Sequence, residues 1–447
     1  MERRLLSALW AAGAALLLTA PAAAQSPLSL SQAIAEAIAH NPSLAAAQAS
    51  GRQAQAETRA VRAEWLPRIN FAEGWQRSTQ PVAGFGTLLN ARRFTAADFA
   101  VDRLNRPGSV DGFSRRLGVS QVLFDGNHTR AAAAMSTSRA AIADARTSMA
   151  LANLALNVTQ AYGRLAASQA GADAANAAVM WAQEDLARAT SRRDAGTATD
   201  ADVLAMSVHL ADMHQRQLQA DSDIITARAA LNQLMGAPMD RAFTISLPPV
   251  AASAPELTTL VAEARKARPE LREADQALAM AQTGVMDARG TWLPTVGAAA
   301  GYEWNGLSFS TRESAWTVGA ELRWSLSVGG AQSANVSAAH AAVDAARSAR
   351  AAVDSAIEVD VLTARQQWLV ARARIDVGRL TVDDAKESLR ITRQRYAAGL
   401  ATVRDVLAAT SAELAAEAQH TTNEVSAVTA WAALERAIGR TTFTAIQ

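Results

Sequence analysis

The segment NPSLAAAQASGRQAQAETRAVRAEWLP at 41–67 returns 227 residues later as RPELREADQALAMAQTGVMDARGTWLP at 268–294. Pro42, Leu44 and Trp65-Leu66-Pro67 meet identical residues in Pro269, Leu271 and Trp292-Leu293-Pro294, with no gap. Farther along the offset becomes 203. Leu123, Gly126, Gly196, Asp202, Leu231 and Gly236 then stand opposite Leu326, Gly329, Gly399, Asp405, Leu434 and Gly439. The chain is a tandem duplication, and the change from 227 to 203 leaves 24 extra residues in the first copy, between Pro67 and Leu123. A sequence written twice restricts the fold to architectures in which one unit packs against its own copy. The first repeat is assigned to 25–236, the second to 257–439, a Gly- and Pro-broken linker to 237–256 and a tail to 440–447.

Each copy changes its hydrophobic period along its length. It opens on a helical stretch, with Ser29 and Gln32 at capping-box spacing and a break at Asn41-Pro42. The period then falls to two. In the second copy Val296, Ala298, Ala300, Tyr302 and Trp304 alternate with small or polar residues, and so do Trp316, Val318, Ala320, Leu322, Trp324 and Leu326. One apolar, aromatic face and one small, polar face is the pattern of an outer-membrane barrel strand, although a half-buried soluble hairpin shares it. Weaker strands are expected at 68–77 and 115–124, with the 24-residue excess forming a long extracellular loop between them. Four strands per chain cannot close a membrane barrel, which takes at least about eight. Open sheet edges cannot face lipid, so several chains must share the barrel.

A very long helix follows each hairpin. No proline occurs from 127 to 194, a span of about 100 Å as helix. Val361, Trp368, Ile375, Val382, Leu389 and Tyr396 recur by sevens, as do Val158, Leu165, Ala172, Val179 and Leu186. Met135, Ile142, Met149 and Leu156 form a second stripe. Sustained heptads predict left-handed coiled packing, and two stripes predict neighbours on two sides. The motifs RRDAGTATDADVL (192–204) and RYAAGLATVRDVL (395–407) interrupt these helices at matching places. Gly196 and Gly399 are expected as left-handed caps, and Thr199 and Thr402 as N-caps of the returning helices, with Asp202 and Asp405 three residues on. The motifs are thus the tips of two helical hairpins, at the opposite end of the molecule from the strands.

The rest of the sequence excludes much. Arg3 and Arg4, an apolar run from Leu5 to Ala20 and Ala22-Ala23-Ala24 predict a signal peptide over 1–24. Its removal takes two Arg and one Glu from totals of 43 basic and 42 acidic residues, so the remaining chain is neutral. A nucleic-acid partner is not expected. There is no cysteine, hence no disulfide and no lipid attachment after the signal. His209, Met213 and His214 suggest a metal site, but the histidines are five apart and do not share a helix face. No nucleophile triad, paired carboxylates or phosphate loop stands out, so neither an enzyme nor a cofactor is expected.

The duplicated unit, the tip AGLATVRDVL and the strand-to-helix motif LFDG at 123–126 resemble the outer-membrane efflux protein family, over essentially the whole mature chain. The resemblance implies a mostly α fold with membrane β-barrel strands: a homotrimer with a twelve-stranded barrel and a periplasmic α-helical barrel. It implies an outer-membrane exit duct of a tripartite efflux pump or type I secretion system, docked on a periplasmic adaptor and an inner-membrane transporter of RND, ABC or MFS type. It implies docking at the tips (Gly196, Thr199, Gly399, Leu400, Thr402) and a periplasmic gate at Asp202, Tyr396 and Asp405, with Asp202 and Tyr396 linking the hairpins. The family's second ring aspartate is Ala408 here and a linking arginine is Ala401, so the gate should be less charged and held by fewer contacts. Read from the residues alone, the two aspartates are equally helix caps, Tyr396 a heptad contact and the glycines structural. A periplasmic adaptor is the main alternative, and a secreted coiled-coil protein a second. Adaptors carry one hairpin between β-domains, not two hairpins with membrane-patterned strands.

Overall fold

The computed structural model describes residues 27–249, 253 and 255–440. The predicted signal peptide, part of the linker and most of the tail lie outside them. The chain begins with helices α1 (Leu30–His40) and α2 (Pro42–Ala63), then strand β1 (Arg68–Ser78), helices α3 (Pro81–Asn90) and α4 (Val101–Asn105), and strand β2 (Val110–Phe124). Helices α5 (His128–Asp194) and α6 (Asp200–Met235) form the first long hairpin. Then come α7 (Leu257–Ala267), α8 (Pro269–Gly290), β3 (Thr295–Gly306), β4 (Glu313–Arg323), α9 (Ala331–Ala397) and α10 (Val403–Ala437). Corresponding helices match in length: α1 and α7 have 11 residues, α2 and α8 have 22, and α5 and α9 have 67. Two compact units cut across the halves, one of 1–45, 151–267 and 359–447, the other of 46–150 and 268–358.

The second unit holds the sheet, antiparallel in the order β1-β2-β3-β4. Its register sets Phe71 beside Leu117, Leu117 beside Tyr302 and Tyr302 beside Trp316, and Ile69, Val119, Ala300 and Val318 form a second apolar row across all four strands, while the next row outward on the same face carries the Glu73–Arg115 ion pair at 2.7 Å. Ile69, Phe71, Trp316, Val318 and Leu322 on that face are exposed. The opposite face carries Asn70, Gly118, Gly301 and Thr317 in one row and an ion pair from Arg116 to Glu303 at 2.5 Å. Water is the expected neighbour of the second face and lipid of the first. Among the described residues the outer edges of β1 and β4 pair with nothing. No described helix is long and apolar enough to cross a membrane.

Three local expectations change. The 24-residue excess is not an open loop. It folds as α3, a turn of 3₁₀ helix at Ala96–Phe99 and α4. Phe94 packs edge-on against Phe85 and Phe99, with ring centroids 4.8 and 5.0 Å away. Arg92 donates from Nη2 to the Ser314 carbonyl at 3.1 Å and so fastens the segment to the outer end of β4. Strand β2 also starts five residues earlier than expected. Strand β4 stops at Arg323, and Trp324 instead donates its indole N–H to the Trp292 carbonyl at 3.2 Å.

The first unit is held by the heptad seams. Val158, Leu165, Ala172 and Val179 on α5, and Val361, Trp368, Val382 and Leu389 on α9, are buried. Of the second stripe, Leu156 in this unit and Met135, Ile142 and Met149 on the part of α5 that belongs to the second unit are half-buried. Tyr162 is buried as well. Its hydroxyl donates toward the carbonyls of Leu28 (2.7 Å) and Ser246 (2.9 Å) and accepts from the Ser246 N–H, tying two extended segments to α5.

The junction after β2 is a close backbone contact within the second unit. Gly126 has φ +70°, and a Cβ on Gly290 would lie 2.1 Å from the Gly126 carbonyl oxygen. Backbone cannot yield as a side-chain end can. Gly290→Ala should therefore destabilise the fold by about 1–3 kcal/mol, read as a lower thermal midpoint of the purified protein in detergent. An unchanged midpoint would contradict this packing.

Candidate functional site

The tips lie in the first unit and are built twice by the same bonds. At the end of α5, the Thr197 N–H donates to the Arg192 carbonyl and the Gly196 N–H to the Arg193 carbonyl, both at 2.8 Å. At the end of α9, Leu400 bonds the Arg395 carbonyl (2.8 Å) and Gly399 the Tyr396 carbonyl (3.0 Å). This pairing satisfies the last carbonyls of a helix and needs a left-handed residue. Gly196 supplies φ +72° and Gly399 φ +76°. A Cβ at either would meet nothing within 4 Å, so backbone conformation alone selects glycine.

The returning helices start with full capping boxes. The Thr199 hydroxyl accepts from the Asp202 N–H at 3.2 Å, and the Asp202 carboxylate accepts from the Thr199 N–H (2.9 Å) and hydroxyl (2.8 Å). Thr402 and Asp405 repeat this at 3.3, 2.7 and 2.7 Å. These bonds stabilise the ionised carboxylates. Both aspartates are held below the ordinary value of 3.8, first by the backbone N–H of the capping threonine and then by its hydroxyl. The charge of Arg192 adds to this at Asp202, and those of Arg395 and Arg404 at Asp405.

Tyr396 and Asp202 come into one region without a bond between them among the described residues. The Asp202 carboxylate serves Thr199. Tyr396 packs on a cluster of Ala189, Met206 and Val403, alongside Leu186, Val203, Ala205 and Leu407. A residue that sequence reasoning passed over makes the link between hairpins. Arg192, on α5, donates from Nη1 to the Tyr396 carbonyl (3.1 Å) and from Nη2 to the Ala397 carbonyl (3.3 Å). Its guanidinium carbon lies 4.7 Å from the centre of the Tyr396 ring. One cation thus caps the negative end of α9 and covers its last aromatic ring. The only signal in the sequence was position: Arg192 opens one tip motif and Arg395 opens the other.

Gly196, Thr199, Gly399, Leu400 and Thr402 are all exposed, and so is Asp405, while Asp202 is half-buried. Met213 is buried against Ala178, Val179 and Ala182 as core. Among the described residues no three metal-binding side chains gather.

The caps carry a pH dependence of known sign. A depressed carboxylate pKa contributes stability that is complete above the unfolded value and lost as pH falls through the folded one. Both tips should hold at neutral pH and fray as pH drops below about 3.8. Exchange protection of tip amides, corrected for intrinsic rates, should fall there. Thr199→Ala with Thr402→Ala should give the frayed pattern already at pH 7. Tips that stay equally protected in both cases would show that the caps contribute nothing.

No curated protein matches the sequence. Solved structures do match it, over most of the chain. A membrane protein from Pseudomonas aeruginosa superposes with a TM-score of 0.78 at 18% identity, covering 92% of this chain and 90% of its own. The outer membrane protein VceC of Vibrio cholerae gives 0.75 at 23% identity, covering 92% and 96%. The CmeC outer membrane channel of Campylobacter jejuni gives 0.76 at 17%, covering 92% and 85%. At such identities the likeness establishes the fold. The family model described as outer membrane efflux protein matches residues 33–237 and 260–440. With two long hairpins, capped tips and a four-stranded sheet in place, the chain belongs to the outer membrane efflux protein family.

Proposed function

We propose that three copies of this chain form an outer-membrane exit duct, with their sheets joined into one twelve-stranded barrel and their hairpins into a periplasmic tunnel. The observation that carries this reading is the sheet: an exposed apolar face and two unpaired edges within one chain. Only closure with other copies makes such a sheet compatible with lipid. The helices agree. Leu204, Val208, Leu218 and Ile225 on α6 are exposed, and so are Val370, Val377, Leu380 and Ile391 on α9. Their spacings of 4, 10 and 7 residues on α6 and 7, 3 and 11 on α9 are sums of three- and four-residue steps, as along the seam of a coiled contact with another helix.

Conduction in this duct is passive. The duct serves an efflux pump or a type I secretion system, in which an inner-membrane transporter supplies the energy. An adaptor docks at the exposed tips around Gly196, Thr199, Gly399, Leu400 and Thr402. The same tips gate the tunnel. Asp405 contributes charge at the entrance, Arg192 and Tyr396 hold the two hairpins of a chain together, and Asp202 fixes the start of α6 beside them. Nothing in the fold favours the adaptor alternative.

Two measurements test this. The detergent-solubilised protein should be a trimer, and Val377→Asp with Leu380→Asp should shift it to monomer in native mass measurements. A wild-type monomer would refute the assembly. In planar bilayers, Arg192→Ala should raise resting conductance, since charged hydrogen bonds of about 1.5–3 kcal/mol each are lost. Arg192→Lys should restore little, because a point charge cannot serve two carbonyls and a ring at once. Wild-type conductance in both variants would remove Arg192 from the gate.

A further inference from the structure

The duplication lets the contact inside a chain serve as a template for the contact between chains. Residues that differ by 203 occupy equivalent places on the two hairpins. Ile225 is 66% exposed, while its equivalent Val428 is 3% exposed. Leu362 is 41% exposed and its equivalent Thr159 is 1% exposed. Leu369 is 37% exposed and Ala166 is 7% exposed. Leu204 is exposed, whereas Leu407 packs against the cluster at the tip. At each of these places one hairpin is covered within the chain and the other leaves an apolar residue exposed. A second copy set against the first as hairpin two is set against hairpin one would cover them all.

The same operation carries Arg192 onto Arg395, and the carbonyls of Tyr396 and Ala397 onto those of Arg193 and Asp194. Arg192 fills its place within the chain. Arg395 is exposed, and among the described residues its side chain makes no hydrogen bond. The Arg193 carbonyl receives the Gly196 N–H, just as the Tyr396 carbonyl receives that of Gly399, but among the described residues no arginine side chain bonds to it. Half of the site is thus satisfied in one chain, and the other half needs a second copy.

Resting on the trimeric reading above, we propose that Arg395 clamps the end of α5 in the next copy, at the carbonyls of Arg193 and Asp194. The ring of tips is then closed by six arginines, three within chains and three between them. The two kinds differ in chemistry. Within a chain the guanidinium covers the Tyr396 ring. Between chains the residue equivalent to Tyr396 is Arg193, and the residue equivalent to Ala397 is Asp194. Arg193 is already neutralised by Asp194 at 2.6 Å and faces Asp200 at 3.8 Å. Arg395 joins this exposed ionic cluster and gains no aromatic cover. Exposed ion pairs are weak and screened by salt. The seams between copies are therefore the ones that part first when the entrance opens.

The chain has no cysteine, so introduced thiols report alone. A bis-maleimide is chosen whose span joins Arg192→Cys to Ala397→Cys within one chain. Applied to Arg395→Cys with Asp194→Cys in membranes, the same reagent should give covalent dimers and trimers. In bilayers Arg395→Ala should raise the open-to-closed ratio about tenfold or more, the weight of one charged hydrogen bond. Raising salt from about 0.15 to about 1 M should open the wild type and leave Arg395→Ala little changed. A native trimer whose 395 and 194 thiols do not cross-link while the in-chain pair does would overturn the clamp alone. Equal salt response in wild type and Arg395→Ala would do the same. A native monomer would overturn the trimer and the clamp with it.

Discussion

An unpaired strand edge is tolerable in water and intolerable in hydrocarbon. Each free N–H or C=O there costs several kcal/mol with no solvent to offset it. The sheet of this chain has an apolar exposed face and two such edges. On the proposed reading, such a sheet is complete only when other copies close its edges. The rest follows from that requirement. The other sheet face, with Gly118, Gly301 and Thr317 in line, suits a wet interior. The exposed stripes of α6 and α9 extend the same incompleteness into the helices.

The tips resolve a second problem, which is how to end a 67-residue helix without leaving its last carbonyls exposed. Glycine turns close two of them through backbone bonds, and an arginine from the neighbouring hairpin takes two more acceptor positions at the end of α9. The hairpins are thus joined where each is locally least satisfied. Helix termination and hairpin coupling share the same atoms, so motion of one tip is felt by the other.

Much of this was legible in the sequence because it is periodic or repeated. Val361, Trp368 and Val382 declared a seam by their spacing and are buried. Thr199 with Asp202, and Thr402 with Asp405, declared capping boxes that the structure contains. What stayed hidden depends on contacts between distant segments. PVAGFGTLLN, with one proline and two glycines, reads as loop. It is helical because Pro81 suits a first turn and because Phe85 finds Phe94 in the fold. Arg192 carries no local pattern at all. Its role comes from a carbonyl 204 residues away, which no spacing rule reaches. The resemblance suggested Tyr396 and Asp202 as partners, but the nearer threonine N–H and hydroxyl hold that carboxylate.

The equal lengths of α5 and α9 set terms on how such a chain can diverge. A deletion in one hairpin alone would lift its tip out of the plane of the other and withdraw Arg192 from its carbonyls. Losing any number of residues that is not a multiple of seven would also rotate the buried stripe away from its seam. In the proposed tunnel, length changes that keep both tips level and both seams in register are paired events at matching positions of the two halves, and whole heptads disturb the winding least. A duplicated gene that needs to keep its symmetry accumulates substitutions freely, but its insertions are confined to places such as 79–109, where one copy already carries a segment that the other lacks.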